Sequence, residues 1–172
     1  NDISFNDIRK MSSDKFILKP SESGSSVGIK IFNTNDFSSL KSNEILEKLF
    51  SNDVDVSNYF IEEFISAAEY TAPIINNMVF PIIKIETKRE FYNYEAKYLD
   101  NDKVISFPEL PKSVLEKINL TCIKAFNSLR CSCWGRVDFF MDSDYSVNLI
   151  EINSLLGMTD NRLVPTSAKK NG

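Results

Sequence analysis

The residues best suited to chemistry lie in the last third of the sequence, where two short segments carry charged and polar side chains among apolar ones. We predict two antiparallel strands joined by a tight turn, with bounds of 134–142, 143–146 and 147–153. Side chains alternate between the two faces of a strand, so Arg136 and Asp138 share one face. A four-residue turn predicts a register in which Asp138 lies opposite Glu151 and Arg136 lies opposite Asn153.

Two opposed carboxylates at this position need a compensating positive charge. Directly opposed side chains have Cβ atoms about 4.5–5.5 Å apart, and like charges in that arrangement are destabilising. Asp138, Glu151 and the side-chain oxygen of Asn153 are hard oxygen ligands, which suit Mg²⁺ bound together with nucleotide phosphates. The alternative is a solvated sheet face on which Arg136 bridges the two acids. A register shifted by one residue would separate the carboxylates.

A loop rich in serine and glycine occupies residues 21–28 and follows Lys19 closely. Its backbone N–H groups and hydroxyls can form an anion-binding nest, and Lys19 adds a point charge for a phosphate. The loop lacks the Gly-x-x-x-x-Gly-Lys pattern of a P-loop, and an ordinary flexible turn is the alternative interpretation.

A third segment, Phe91–Tyr98, is rich in aromatic residues and contains one lysine, Lys97. One hypothesis is a lid that closes over a site and brings Lys97 to a phosphate. The alternative is a strand with alternating aromatic side chains.

The elements that must position these groups alternate strands with few helices, which predicts an α+β fold of antiparallel hairpins. Further strands are predicted at 15–19, 27–32, 59–64, 69–75 and 78–86, and helices from about 34 to 50 and from 113 onward. The second helix has a capping box, Ser113-x-x-Glu116, and an apolar stripe at three- and four-residue spacing. A long ordered loop is expected over 88–110, and a helix start near Pro165.

Composition excludes several classes of function. The 172 residues include 20 Lys and Arg against 24 Asp and Glu, so the net charge of −4 argues against general nucleic-acid binding. The absence of histidine excludes Ser-His-Asp and Cys-His catalysis and His-ligated metals. Three cysteines, an odd number, are expected to be reduced thiols in a cytoplasmic protein. No apolar run approaches the ~18 residues of a membrane span, so no membrane partner is expected.

Five motifs, taken together, identify a resemblance. They are Lys19–Gly28, Ile61–Ile65 followed by Glu69, Phe91–Tyr98, Gly135–Asp138 and Glu151–Thr159, with Leu163–Pro165 continuing the match. In this order the chain resembles the ATP-grasp part of the D-alanine–D-alanine ligases over nearly its whole length. The resemblance implies an α+β ATP-grasp fold with two lobes built on antiparallel sheets. A partial small lobe over 1–61 would carry the phosphate loop, and a large lobe over 62–172 the metal and catalytic strands.

The resemblance also implies a role for individual residues. The implied ATP-binding residues are Lys19 and Lys97 for the phosphates, Glu62 and the backbone of Phe64 and Ile65 for the adenine, Phe140 and Ile150 for the pocket walls, and Glu69 for the ribose. Asp138 and Glu151 would bind one Mg²⁺, and Glu151 with Asn153 a second, with Mn²⁺ as an alternative ion. Arg136 and the N–H of Gly157 would stabilise a tetrahedral intermediate. Ser25, Glu69 and Tyr98 match a set that ties the aromatic loop over the site.

The implied reaction is phosphorylation of one D-alanine carboxylate by ATP, followed by attack of a second D-alanine amine, which forms the dipeptide of peptidoglycan. The family's N-terminal substrate domain, which supplies the first D-alanine site, is expected to lie before Asn1, so the isolated chain is expected to be inactive. A homodimer is a candidate state of the full-length enzyme.

The tail departs from the family pattern. Leu156, Asn161 and Arg162 replace a usual proline, a histidine-like residue and a serine. A ligase with a changed acceptor is therefore one alternative, because an arginine can pair with a substrate carboxylate. A non-catalytic nucleotide-binding remnant is another. Of two arrangements for Arg162, we favour a displaced tail over a guanidinium beside Gly157.

Overall fold

The computed structural model describes residues 8, 10, 11, 13–24, 26–50, 56–86, 104–160 and 162–172. The described residues form two compact units, one up to Ser66 and one from Ala67 onward. The assignment of residues 1–61 and 62–172 to the two lobes of a family fold stays a prediction. In the described part of the chain no helix is long and apolar enough to cross a membrane.

The first unit is a three-stranded antiparallel sheet in the order β2-β1-β3 with a short helix. Its elements are β1 (Lys15–Pro20), β2 (Lys30–Asn33), a 3₁₀ turn (Thr34–Phe37), α1 (Ser42–Leu49), a 3₁₀ turn (Val56–Asn58) and β3 (Tyr59–Glu63). The core of this unit forms where the buried side chains of β1 pack against one face of α1. Its most buried members are Phe16, Leu18, Phe37, Ile45 and Leu49.

The helix predicted from 34 to 50 is wrong in its first half. A 3₁₀ turn ends at Phe37, and α1 begins only at Ser42. The intervening segment contains Ser38 and Ser39, and the Ser38 hydroxyl hydrogen-bonds to a backbone carbonyl nearby. Serine side chains compete in this way with helix formation. The new start is capped by Glu44, whose carboxylate accepts the backbone N–H of Lys41 at 2.6 Å.

The second unit is built on a larger antiparallel sheet in the order β7-β6-β4-β8-β9, with β5 paired to β4. Its elements are β4 (Ala68–Ile75), β5 (Met78–Val79), β6 (Ile83–Glu86), β7 (Val104–Ser106), α2 (Lys112–Ser128), β8 (Trp134–Met141), β9 (Val147–Asn153) and α3 (Leu163–Asn171). The predicted hairpin around Asn76 is confirmed, although Pro81 divides its second arm into β5 and β6.

One face of this sheet is covered by α2. The apolar stripe of α2 buries Ile118, Cys122 and Phe126 against residues of β4 and β8, among them Ile74 and Val137. Because side chains alternate along β8, this packing leaves Arg136, Asp138 and Phe140 on the opposite face.

Two local predictions in this unit are wrong. Pro111 is the N-cap of α2 and makes no side-chain cap, so Ser113 lies inside the first turn and forms no capping box. Residues 104–106 belong to β7 rather than to a loop, because they pair with β6. Of the rest of the predicted loop, residues 88–103 lie outside the described part of the chain, and residues 107–110 form neither helix nor strand, as predicted. The helix start expected near Pro165 is confirmed, since Pro165 lies in the first turn of α3, where a missing N–H is tolerated.

The register of β8 and β9 contains a bulge. Asp138 pairs with Glu151 and Arg136 with Asn153, as predicted, but Phe139 pairs with Leu149. Ile150 is thus the extra residue on β9, and the predicted pairing is wrong by one position between the bulge and the turn. A bulge of this kind re-aims neighbouring side chains. The α+β class with antiparallel sheets and few helices is confirmed.

Candidate functional site

A cluster of charged and polar side chains is centred on Asp138, which is 2% exposed. Arg136 forms a bidentate ion pair with it, donating from Nε to Oδ1 at 2.7 Å and from Nη2 to Oδ2 at 2.6 Å. The hydroxyl of Thr71 donates to Oδ1 at 2.6 Å from the neighbouring strand β4. Four hydrogen-bond positions are available on a carboxylate, and these contacts use three of them.

Asn153 joins the two carboxylates of the cluster. Its Nδ2 donates to Asp138 Oδ2 at 3.0 Å and to Glu151 Oε1 at 3.0 Å. Asp138 and Glu151 therefore lie on the same side of the hairpin, and a hydrogen-bond donor stands between them. Arg136 pairs with Asp138, and the group that bridges the two acids is Asn153.

Charge in the cluster affects two neighbouring groups. Burial by itself lowers the pKa of Arg136, but the charge of Asp138, its hydrogen bonds, and the charges of Glu151 and Glu69 together raise that pKa above its usual value. Burial, with a smaller contribution from the charge of Asp138, raises the pKa of the Cys122 thiol to about 12. Arg136 is therefore a permanent cation, and Cys122 a neutral thiol.

The cluster has the donor chemistry of a divalent-cation site. Among the described residues no three side chains of the His, Cys, Asp and Glu types group to hold a metal ion, so two carboxylates need a third ligand of another kind. The Asn153 amide supplies one, since rotation by 180° exchanges its nitrogen for its oxygen. Because Asn153 Nδ2 lies 3.0 Å from an oxygen of each acid, the two carboxylates are close enough to share one cation. The predicted ligands Asp138, Glu151 and Asn153 therefore fit Mg²⁺.

The loop after β9 brings Gly157 against Arg162. A Cβ added to Gly157 would lie 3.4 Å from Arg162 Nε and 3.5 Å from its Cγ. The loop is closed by the N–H of Arg162, which donates to the Thr159 carbonyl at 2.9 Å, and Arg162 is the N-cap residue of α3, without a side-chain cap. The expectation that Arg162 is displaced outward is therefore wrong. Asn161 lies outside the described residues.

In the first unit, two predicted nucleotide ligands contact each other. Lys19 Nζ on β1 forms an ion pair with Glu62 on β3, and their side chains are 18% and 45% exposed. The same ammonium lies 6.0 Å from the centre of the Phe60 ring. The following loop turns back at Gly28, where φ is +76° and a Cβ would lie 2.9 Å from Pro20. The positive φ and this close approach favour glycine at position 28, where the end of the loop packs against Pro20, the residue that follows Lys19.

Phe64 and Ile65, whose backbone groups are predicted to bind the adenine, directly follow β3. The N–H of Phe64 donates to the Lys15 carbonyl at 3.1 Å, and its carbonyl accepts the Ser13 hydroxyl at 3.0 Å. Both backbone groups of Phe64 are thus engaged within the unit. Ile65 is the next residue and is partly buried.

The remaining predicted residues lie in the second unit or outside the described part. Glu69 on β4 pairs with Phe140 on β8, and both are partly buried. Ile150 is the extra residue at the bulge of β9, so no residue of β8 pairs with it in the register. Ser25 and Lys97 lie outside the described residues, as does the whole of Phe91–Tyr98.

Sequence reasoning missed Thr71. It is 0% exposed and contacts Asp138, which is 67 residues away along the chain. The only signal in the sequence is its place two residues after Glu69, on the same face of a predicted strand. That signal does not identify β8 as the neighbouring strand.

Comparisons with known proteins all place the chain in one family. The family model described as D-ala D-ala ligase C-terminus matches residues 5–172. A Bacillus cereus protein named D-alanine–D-alanine ligase A is 38% identical over 157 residues, which cover 91% of this chain and 49% of the relative. The chain spans about half the length of the curated relatives it matches.

Solved structures agree with this result. A D-alanine–D-alanine ligase from Bacillus anthracis superposes with a TM-score of 0.73 at 33% identity, over 99% of this chain and 53% of that one. The Bacillus anthracis ligase solved in complex with ATP gives 0.71 at 27%, over 99% and 51%. The predicted ATP-grasp fold is confirmed.

Proposed function

Because this chain belongs to the D-ala D-ala ligase C-terminus family, we propose that it carries the ATP- and Mg²⁺-binding part of a D-alanine–D-alanine ligase. The observation that carries the proposal is the cluster of Arg136, Asp138, Glu151 and Asn153 on one hairpin, where two carboxylates share a bridging donor. The proposed product is the dipeptide used in peptidoglycan precursors, and the proposed location is the cytoplasm.

The proposed reaction joins two D-alanines in two steps. The carboxylate of the first attacks the γ-phosphorus of ATP, which forms an acylphosphate and releases ADP. The amine of the second attacks the acyl carbon, and phosphate leaves as the peptide bond forms. A Mg²⁺ ion would neutralise phosphate charge in the first step.

The residues of this chain would have three tasks in that reaction. Asp138, Glu151 and Asn153 would hold the metal, and Lys19 and Lys97 the phosphates. Arg136 uses Nε and Nη2 on Asp138, and a guanidinium has five N–H groups, so Nη1 lies outside that pair. Its fixed charge would stabilise the oxyanion of the second step, together with the N–H of Gly157.

The test is nucleotide binding by the 172-residue chain. We expect Mn²⁺·ATP to bind weakly to the chain and at least 10-fold more weakly to Glu151→Gln. Glu116→Gln is the matched control, because Glu116 is exposed on α2, where its carboxylate pairs with Lys112. Equal binding by Glu151→Gln and the unchanged chain would contradict the proposal. Binding without dipeptide formation, once the remainder of the ligase is supplied, would identify a nucleotide-binding remnant.

A second candidate is a ligase of the same type with a different acceptor. It is favoured by Arg162, whose Nε lies close to Gly157, the residue proposed to contact the oxyanion. A guanidinium there can form a bidentate pair with the acceptor's carboxylate. Phosphate release measured with D-alanine alone, and with D-alanine plus D-serine or D-lactate, separates the candidates. A larger rate with another acceptor, lost in Arg162→Ser, would favour the second.

A further inference from the structure

Thr71 is a fully buried hydroxyl residue on β4 that sequence reasoning did not connect with the site. It pairs with Asp138 in the register of β4 and β8, and its Oγ1 lies 2.6 Å from Asp138 Oδ1. Its neighbour along the strand, Ala72, and its partner on β6, Ile83, are also fully buried. A hydroxyl carries one hydrogen, and Thr71 gives that hydrogen to Asp138.

The two oxygens of Asp138 have different kinds of partner. Oδ1 accepts from Thr71 at 2.6 Å and from Arg136 Nε at 2.7 Å. Oδ2 accepts from Arg136 Nη2 at 2.6 Å and from Asn153 Nδ2 at 3.0 Å. Thr71 and Arg136 are permanent donors in their present positions, whereas the Asn153 amide can rotate and present an oxygen instead.

We propose that Thr71 is a positioning residue for the divalent cation. With Arg136, its hydroxyl holds Oδ1 of Asp138, so that Oδ2 is the oxygen presented to the ion. The Asn153 amide nitrogen leaves Oδ2 when the ion binds, and the amide oxygen then faces the ion. The inference rests on the proposed metal site, and it adds a residue that does not itself touch the ion.

The role of Thr71 has a consequence that differs from simple packing. Thr71→Val keeps the shape of the side chain and removes the donor, so that Oδ1 of Asp138 keeps Arg136 Nε but loses its second partner and the carboxylate is less firmly oriented. We expect the dissociation constant for Mn²⁺ to rise 3- to 10-fold. Thr71→Ser keeps the donor, and it should restore binding to within 2-fold of the unchanged chain.

The experiment titrates the 172-residue chain with Mn²⁺ in the presence of ATP and follows the free ion by electron paramagnetic resonance. Thr121→Val is the matched control, because Thr121 donates to a helix carbonyl on α2. Circular dichroism reports the folded fraction of each variant. Thr71→Ala replaces Thr71→Val if the latter does not fold. A dissociation constant unchanged in the folded variant, with only the melting temperature lowered, would overturn the proposal.

Two further variants keep the interpretation unambiguous. Asp138→Asn tests the metal site itself, and unchanged Mn²⁺ binding in that variant refutes the proposed site and with it the role of Thr71. Weaker binding in Asp138→Asn together with unchanged binding in Thr71→Val refutes the role of Thr71 alone. Asn153→Asp removes the bridging donor and adds a negative charge, so its melting temperature should fall in EDTA and recover with Mn²⁺. A melting temperature that does not respond to Mn²⁺ counts against the proposed exchange of the Asn153 amide.

Discussion

Arg136 and Asp138 lie two residues apart on β8 and form a bidentate ion pair with distances of 2.7 and 2.6 Å. Their side chains are 21% and 3% exposed. The carboxylate is thus almost fully removed from water, while the guanidinium keeps part of its surface at the solvent. Such a pair is stable because Thr71 and Asn153 satisfy the remaining lone pairs of the carboxylate.

Removing the charge of Asp138 should destabilise the second unit. We expect Asp138→Asn to lower the free energy of unfolding by about 3 kcal/mol, because breaking a buried pair leaves an uncompensated charge. Urea denaturation followed by circular dichroism measures the change. Glu116→Gln, which alters an exposed pair on α2, should change it by less than about 0.5 kcal/mol. Equal effects of the two substitutions would show that the pair does not stabilise the fold.

Close packing at Gly135 leads to a second prediction. A Cβ at this position would lie 2.4 Å from Cε2 of Phe126, which is 2% exposed, and 3.1 Å from the Asn153 carbonyl oxygen. Gly135→Ala should therefore lower the free energy of unfolding by about 2 kcal/mol, as overpacked cores do. Thermal denaturation is the measurement.

Gly24→Ala is the control for Gly135→Ala, because nothing lies within 4 Å of a Cβ there. The double variant with Phe126→Leu should recover part of the loss, since the smaller side chain relieves the contact. A single substitution at Gly135 without effect would mean that α2 and β8 separate easily.

The turn between β8 and β9 places a tyrosine in a left-handed conformation. Tyr145 has φ of +65°, and its N–H donates to the Asp142 carbonyl at 3.0 Å. A side chain is strained at this φ and glycine is not, so Tyr145→Gly should raise the free energy of unfolding by about 0.5–1 kcal/mol. Tyr145→Ala keeps the Cβ and should bring no such gain. Stabilisation by alanine as large as that by glycine would assign the effect to loss of the exposed ring.

The thiols should differ in reactivity and in their response to pH. Burial, and to a lesser extent the charge of Asp138, raises the pKa of Cys122 to about 12, whereas Cys131 is partly buried and Cys133 is exposed. At pH 8 an aromatic disulfide reagent should therefore modify Cys133 readily and Cys122 only after unfolding. Reaction of all three thiols at one rate in the native chain would contradict the packing of α2.

The sign of the pH effect follows from the same shift. The folded state keeps the Cys122 thiol neutral, so its stabilising contribution is complete below the ordinary thiol pKa near 9 and is lost as the pH rises toward 12. The loss is about 1.4 kcal/mol per pH unit in that range. The stability difference between the unchanged chain and Cys122→Ala should therefore narrow above pH 9, as urea denaturation at several pH values would measure.

Much of the fold and part of the site could be predicted because their signals are local. The stripe of α2 recurs at helical spacing, and the strands that carry Arg136, Asp138 and Glu151 alternate with a period of two. The pair of Asp138 with Glu151 was predicted from a four-residue turn. Next to the turn, Val147 pairs with Met141, one residue away from its predicted partner, and the bulge at Ile150 restores the predicted register at Asp138. The sequence contains no sign of that bulge.

Sequence alone thus determined the class of fold, the family resemblance and the presence of two carboxylates on one hairpin. Tertiary structure decided which groups surround them. Thr71 reaches Asp138 only because β4 lies beside β8, and Arg162 lies on Gly157 only because the loop closes at Thr159. The physical reason is that alternation and helical spacing act over a few residues, whereas strand order and loop closure depend on the packing of the whole unit.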